Sequence, residues 1–315
     1  MADAFPRRVD RRGFLVLGGS ALVAAPFLAS CSSDGDTAAT GTSTSGTAHE
    51  HDLPSGPATG TASMVAVFDP NAYAVTGNEQ RLPLAVLAED GSIDPAGPES
   101  IEFQVRRDGE AIGERITVAR HNEGVPIGFY PLRTTFPEAG TYSIEATLDG
   151  QLVSQAVTVS EPSSQPLLVV GGTLPSLPTP TTTDAQNVDP ICTQITGPCP
   201  LHDETLEQVL DSGRPMALLV STPAYCQIGV CGPVLDILLD LRAEFPDVAF
   251  LHCEVYQDAE AKGGPQAATP ARIMDALGMT FEPTLWVASP DGVVVARLDF
   301  TFDAVEMRKA IALVA

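Results

Sequence analysis

The chain has 315 residues, of which 44% are hydrophobic and 18% charged, so it can bury real cores and carries too little charge for general disorder. At about 100–200 residues per domain, that length predicts two domains. A formal net charge of −23 repels phosphate backbones and anionic headgroups, which argues against nucleic acid as a partner.

The N-terminal segment reads Arg11-Arg12-Gly13-Phe14-Leu15, continues without charge over residues 13–30 and reaches Leu28-Ala29-Ser30-Cys31. Gly18, Gly19 and Pro26 interrupt an apolar run already near the lower limit for spanning about 30 Å of hydrocarbon, so an export address is expected here. The stretch resembles the twin-arginine signal of a bacterial lipoprotein, with Leu28–Cys31 as its lipobox and Cys31 as the lipid attachment point. That resemblance implies a lipid anchor on the extracytoplasmic face of the cell membrane and passage of a folded chain, whose disulfides would then be more than staples. Residues 32–62, rich in Ser, Thr, Gly and Ala, cannot repay the entropy of ordering and are expected to form a disordered tether. His49-Glu50-His51-Asp52 within it lacks a fixed geometry for a metal.

Residues 63–165 carry short runs of period two. Ile101, Phe103 and Val105 alternate with polar neighbours up to a turn at Asp108-Gly109; Tyr142, Ile144, Ala146 and Leu148 do the same up to Asp149-Gly150. The apolar half of each run needs a facing sheet, and the whole resembles an all-β immunoglobulin-like sandwich. The approach Ala139-Gly140-Thr141-Tyr142 resembles the tyrosine corner of those domains, although their cysteine pair is missing. No nucleophile or ligand cluster shows here. His121, in a Gly-rich turn region, is expected to be an exposed loop histidine, and the domain a spacer or docking surface.

Residues 166–190 read as a stiff, extended Pro/Thr-rich linker, with Leu167–Val170 available to a terminal strand. From 191 to 315 strands alternate with helical segments, the pattern of a helix-covered sheet. Asp203 is expected to cap a helix over 204–211 that ends at Gly213. An apolar strand over 216–221 follows, then a loop holding Tyr225, Cys226 and Cys231, and a helix opened by Pro233. Next come a strand over 248–255, a helix over 271–277, the segment Phe281-Glu282-Pro283-Thr284-Leu285, a hairpin at Asp291-Gly292 and a last helix opened by Asp303.

This order resembles the α/β thioredoxin-like superfamily over about 125 residues, nearest its membrane-attached redox lipoproteins and peroxiredoxin-like members. The resemblance implies thiol–disulfide exchange with protein thiols and disulfides and with an extracytoplasmic redox partner, without a bound cofactor or metal. It places the nucleophilic thiol at Cys226, the resolving thiol at Cys231 and the proline facing the sulfurs at Pro283. Two departures matter. The cysteines are separated by four residues where the family has two, and Cys231-Gly232-Pro233 also matches the start of the family motif, which leaves the register open. Glu282, just before the proline, either weakens the thiolate or accepts a proton in the resolving step.

With Cys31 set aside, the remaining five of the six cysteines are an odd number. Cys192 and Cys199, around a Gly-Pro turn, are expected to close a structural disulfide worth about 2–3 kcal/mol on the chain-entropy model. Cys253 is expected to be an inert core thiol. Two other functions fit the same residues. One is a non-catalytic binding lipoprotein whose thioredoxin-like domain has lost its chemistry. The other is copper(I) delivery, since the copper chaperones of respiratory oxidase assembly share this fold, and His202 and His252 offer imidazoles.

Overall fold

The computed structural model describes residues 63–315, so Arg11, Arg12, Cys31 and the tether over 32–62 lie outside the described residues. Among the described residues no helix is long and apolar enough to cross a membrane.

Eight strands form the first half: β1 (Ser63–Ala66), β2 (Ala74–Val75), β3 (Gln80–Leu87), β4 (Ser100–Arg107), β5 (Glu110–Ala119), β6 (Tyr130–Thr134), β7 (Gly140–Leu148) and β8 (Gln151–Ser160). They make a three-stranded sheet, β1-β3-β6, and a five-stranded sheet, β2-β8-β7-β4-β5. The alternation read from the sequence sets the faces. Phe103, Val105, Tyr142 and Ile144 of the larger sheet meet Leu82, Leu84, Tyr130 and Leu132 of the smaller in one buried core. Asp108 and Asp149 take φ of 51° and 50° and the glycines after them 85° and 77°, which turns β4 into β5 and β7 into β8 in the sense that matches strand twist. The Tyr142 hydroxyl donates to the Glu138 carbonyl at 2.9 Å.

The second half holds α1 (Leu206–Asp211), β9 (Met216–Val220), α2 (Cys231–Leu241), β10 (Ala249–Cys253), α3 (Arg272–Leu277), β11 (Thr284–Ala288), β12 (Val294–Asp299) and α4 (Ala304–Ile311). The sheet order is β10-β9-β11-β12, with β9 parallel to β10 and the other pairs antiparallel. Strand β9 is buried on both faces. Ala217 and Leu219 pack toward α2 and α4, while Met216, Leu218 and Val220 pack toward α1 and α3.

Three expectations are corrected. Thr205, not Asp203, caps α1: its hydroxyl accepts the Gln208 N–H while the Gln208 side chain accepts the Thr205 N–H, a reciprocal pair that sets the helix start. Residues 166–190 are no free spacer but a strap laid on the α/β half. Leu167, Leu174 and Val188 are buried there, and the strap's amides and carbonyls bond to it, as in Leu168 N–H to Leu277 O at 2.9 Å and Gly171 N–H to Val294 O at 2.8 Å. Gly278 closes α3 with φ of 66°, and the Pro166 carbonyl occupies the space where a side chain would begin. His121 is largely buried, with Nδ1 3.0 Å from Asp303 Oδ1 at the start of α4.

The sandwich therefore docks on the α/β half. Arg81, 5% exposed, donates twice to Glu306 (2.8 and 2.5 Å) and to the Asp299 and Thr301 carbonyls (3.0 and 2.5 Å). Removing one partner of such a buried pair strands the other charge, so Arg81→Ala is expected to cost about 3–5 kcal/mol. Arg115→Ala, at an exposed pair with Glu102, should stay within about 1 kcal/mol. Urea unfolding midpoints of the two variants check the contrast.

Candidate functional site

Strand β9 ends at Val220, and buried Ser221 and Thr222 lead into the loop that carries Cys226 to the surface. Gly229, at φ of 68°, turns the loop back, and α2 begins on Cys231 itself. Its N-cap, Val230, has no side chain able to accept, so the first helical amides are free for another acceptor. The Cys231 N–H donates to Cys226 Sγ at 3.3 Å.

The two thiols differ sharply. Cys226 is partly exposed, whereas Cys231 is fully buried. Donation from the Cys231 thiol, joined by the amides of Cys231, Val230 and Ile228, outweighs burial and holds Cys226 down at about 6. Burial, then the hydrogen bond to Cys226 and its charge, push Cys231 well above the ordinary thiol range. Of the two cysteines, Cys226 is thus the more reachable and the more readily ionised.

Pro283 lies one residue before β11, whose first pair is Thr284 with Val220, so it stands level with Ser221 at the root of the loop. The Glu282–Pro283 peptide is cis. Glu282 is pushed up to about 7 by burial and then by the charges of Cys226 and Glu254. Tyr256 is raised to about 12 by burial, followed by Glu282 and the two cysteines, and its ring meets Tyr225 edge-on at 6.2 Å. The four expected residues Cys226, Cys231, Glu282 and Pro283 thus come to one end of the sheet. This set offers a stabilised thiolate, a shielded second thiol and a carboxyl poised to exchange a proton near neutrality.

Glu254 and Tyr256 belong to this neighbourhood and escaped the sequence reading. The signal was present for Glu254: an acid directly after a buried strand must find donors. It accepts from the Thr193 N–H and hydroxyl at 2.6 and 2.7 Å, and burial raises it.

Cys192 and Cys199, expected as a disulfide, are both free buried thiols. They lie beside His252 Nδ1, at 3.7 and 3.6 Å. The hydrogen bond from Cys199 holds Cys192 far below the usual thiol range and raises Cys199 in turn. Cys253 is buried and pushed up to about 12 by burial, as an inert core thiol should be.

No protein-family model matches this chain, and no curated protein does. Among solved structures, the trigonal form of titin M4 is 17% identical over 29% of this chain and 86% of that one, with a TM-score of 0.18. A point-mutant complex of titin M10 with obscurin-like 1 Ig is 18% identical over 32% of this chain and 95% of that one, with a TM-score of 0.20. A triclinic crystal form of the titin M10 complex with obscurin-like 1 Ig is 21% identical over 32% and 98%, with a TM-score of 0.18. The described chain is mostly β-sheet, with immunoglobulin-like neighbours over part of its length.

In the reduced protein, alkylation of Cys226 by iodoacetamide is expected to rise with pH through a midpoint at about 6. Cys231→Ala removes the largest stabilising contact and should move that midpoint toward the ordinary thiol value of about 8.5. Mass mapping of the labelled peptide against pH reads both.

Proposed function

We propose that this chain is a lipid-anchored, extracytoplasmic thiol–disulfide oxidoreductase, built from an immunoglobulin-like sandwich and a thioredoxin-like domain. The observation that carries the reading is the unequal thiol pair: a partly exposed Cys226 sulfur capped by the Cys231 N–H at 3.3 Å, with the Cys231 side chain buried behind it. The run of strand, thiol loop, helix, strand, helix, proline-led strand, hairpin and helix, in the sheet order β10-β9-β11-β12, supports the domain assignment. Anchoring and export rest on Arg11-Arg12 and on Leu28–Cys31.

In the reducing direction the Cys226 thiolate attacks one sulfur of a substrate disulfide; the substrate S–S bond breaks and its departing sulfur takes a proton. The Cys231 thiol then yields its proton to the Glu282 carboxylate and attacks Cys226, releasing the second substrate thiol. Two electrons pass to the substrate, and an extracytoplasmic dithiol partner must return the Cys226–Cys231 disulfide to dithiol. The oxidising direction runs the same steps in reverse.

Cys231→Ser is expected to hold a mixed disulfide with protein partners in cells, and Cys226→Ser to hold none. Absence of any adduct, together with a Cys226 inert to alkylation at neutral pH, would overturn the reading. Glu282 accepts a proton only as carboxylate, and in the mixed disulfide Cys226 no longer adds its charge to the upward push of burial and Glu254, so the resolving rate should rise with pH through a midpoint below about 7. Glu282→Gln should erase that inflection and slow resolution by up to about 100-fold, read by quenched single-turnover kinetics.

A further inference from the structure

A second constellation lies on the α2 and α4 side of the sheet. Cys192, Cys199, His202 and His252 are 4%, 5%, 0% and 1% exposed, and their donor atoms all lie within 4.8 Å of one another. Cys192 and Cys199 come from the segment before α1, His202 from its continuation and His252 from the penultimate position of β10, paired with Leu219 of β9.

The spacing has a specific meaning. In a tetrahedral centre with zinc–sulfur bonds of about 2.3 Å and zinc–nitrogen bonds of about 2.05 Å, sulfur and nitrogen stand about 3.6 Å apart and two nitrogens about 3.3 Å. Cys192 Sγ and Cys199 Sγ are 3.7 and 3.6 Å from His252 Nδ1, and His202 Nε2 is 3.3 Å from the same nitrogen. Each separation taken alone also suits a hydrogen bond to Nδ1, but a single lone pair cannot accept from two thiols and an imidazole at once, whereas one ion at the centre accounts for all three. His252 Nε2 lies 3.2 Å from the Ser221 carbonyl and 3.0 Å from its hydroxyl, so its N–H is committed there and the Nδ1 lone pair faces the sulfurs. The Cys199 N–H donates to Cys192 Sγ at 3.5 Å, the support that a metal-bound thiolate takes from its own loop.

We propose that Cys192, Cys199, His202 and His252 bind one zinc ion in a closed, four-coordinate structural site. Full burial and two thiolates with two imidazoles leave no open position for substrate, which separates this centre from a catalytic one. The site stitches residues 192–202 to β10. Its neighbour Thr193 receives the Ala224 N–H at 3.0 Å, so the stitched segment also supports the loop that bears Cys226. The inference does not depend on thiol–disulfide exchange by Cys226 and Cys231.

The test is cobalt and zinc titration of the full chain, reduced and stripped by chelator, with far-UV circular dichroism as the fold control. One equivalent of cobalt(II) is expected to give tetrahedral d–d bands with sulfur-to-metal charge transfer, displaced by one equivalent of zinc(II). Cys226→Ser/Cys231→Ser should keep those bands, and Cys192→Ser/Cys199→Ser should lose them. If that double variant does not fold, His202→Gln serves in its place and should weaken cobalt binding about tenfold or more. No tetrahedral spectrum, a spectrum that survives loss of Cys192 and Cys199, a Cys192–Cys199 disulfide in protein isolated without reductant, or copper in place of zinc in the isolated chain would each overturn the proposal.

Discussion

Both cysteine clusters hang on the parallel pairing of β9 with β10. Register sets His252 against Leu219 and Cys253 against Val220, and the Ser221 N–H closes the ladder on the Cys253 carbonyl at 3.1 Å. Period two then sorts the side chains. Cys253 falls into the apolar face beneath α1 and α3, where burial is the largest influence on its thiol. His252 points to the other face, toward Ser221, His202 and two sulfurs, and Glu254, just past the strand, reaches Thr193. Buried polar groups are tolerated only with partners. The strand ends supply Ser221, and the loop before α1 supplies the rest.

The docked sandwich acts on the same end of the molecule. Asp299, Asp303 and Glu306, on β12 and the first turn of α4, receive Tyr73, His121 and Arg81 in turn. Asp303 also caps α4 by accepting the Glu306 N–H at 3.0 Å, so one carboxylate holds both a helix start and an interface. Phe300 bonds its N–H to the Pro283 carbonyl at 2.9 Å and stacks on Phe281 at 4.1 Å, while Tyr73 of the sandwich meets both rings edge-on at 5.2 and 5.8 Å. The segment Phe281-Glu282-Pro283 is therefore buttressed from behind by the first half of the chain. A body held in that way sets the position of the carboxyl and proline beside the thiols, which a loosely tethered spacer would not do.

Local signals were legible in the sequence, and distant ones were not. The Asp-Gly turns, the alternation of β4 and β7, the helix stop at Gly213 and the strand led by Pro283 all depend on residues within a few positions of one another. Strap burial was hidden because Leu167, Leu174 and Val188 follow no period, and a Pro/Thr-rich composition reads as an extended spacer whether or not a core lies beneath it. Cys192 and Cys199 looked like a disulfide because seven positions of separation show two sulfurs and nothing of the imidazole that β10 brings beside them. His121 looked exposed for the same reason: its partner, Asp303, lies 182 residues away.

Loop length explains how the thiol roles separate. The start of a helix favours negative charge through amides that point out of its first turn, toward whatever precedes it. With α2 beginning on Cys231, that favour falls on the sulfur in front of the helix, and Cys231's own side chain turns into the core. Four intervening residues, with Gly229 at positive φ, give the chain enough length to wrap the amides of Ile228, Val230 and Cys231 around Cys226. The four-residue spacing thus accompanies a contrast between one stabilised, reachable thiolate and one shielded thiol.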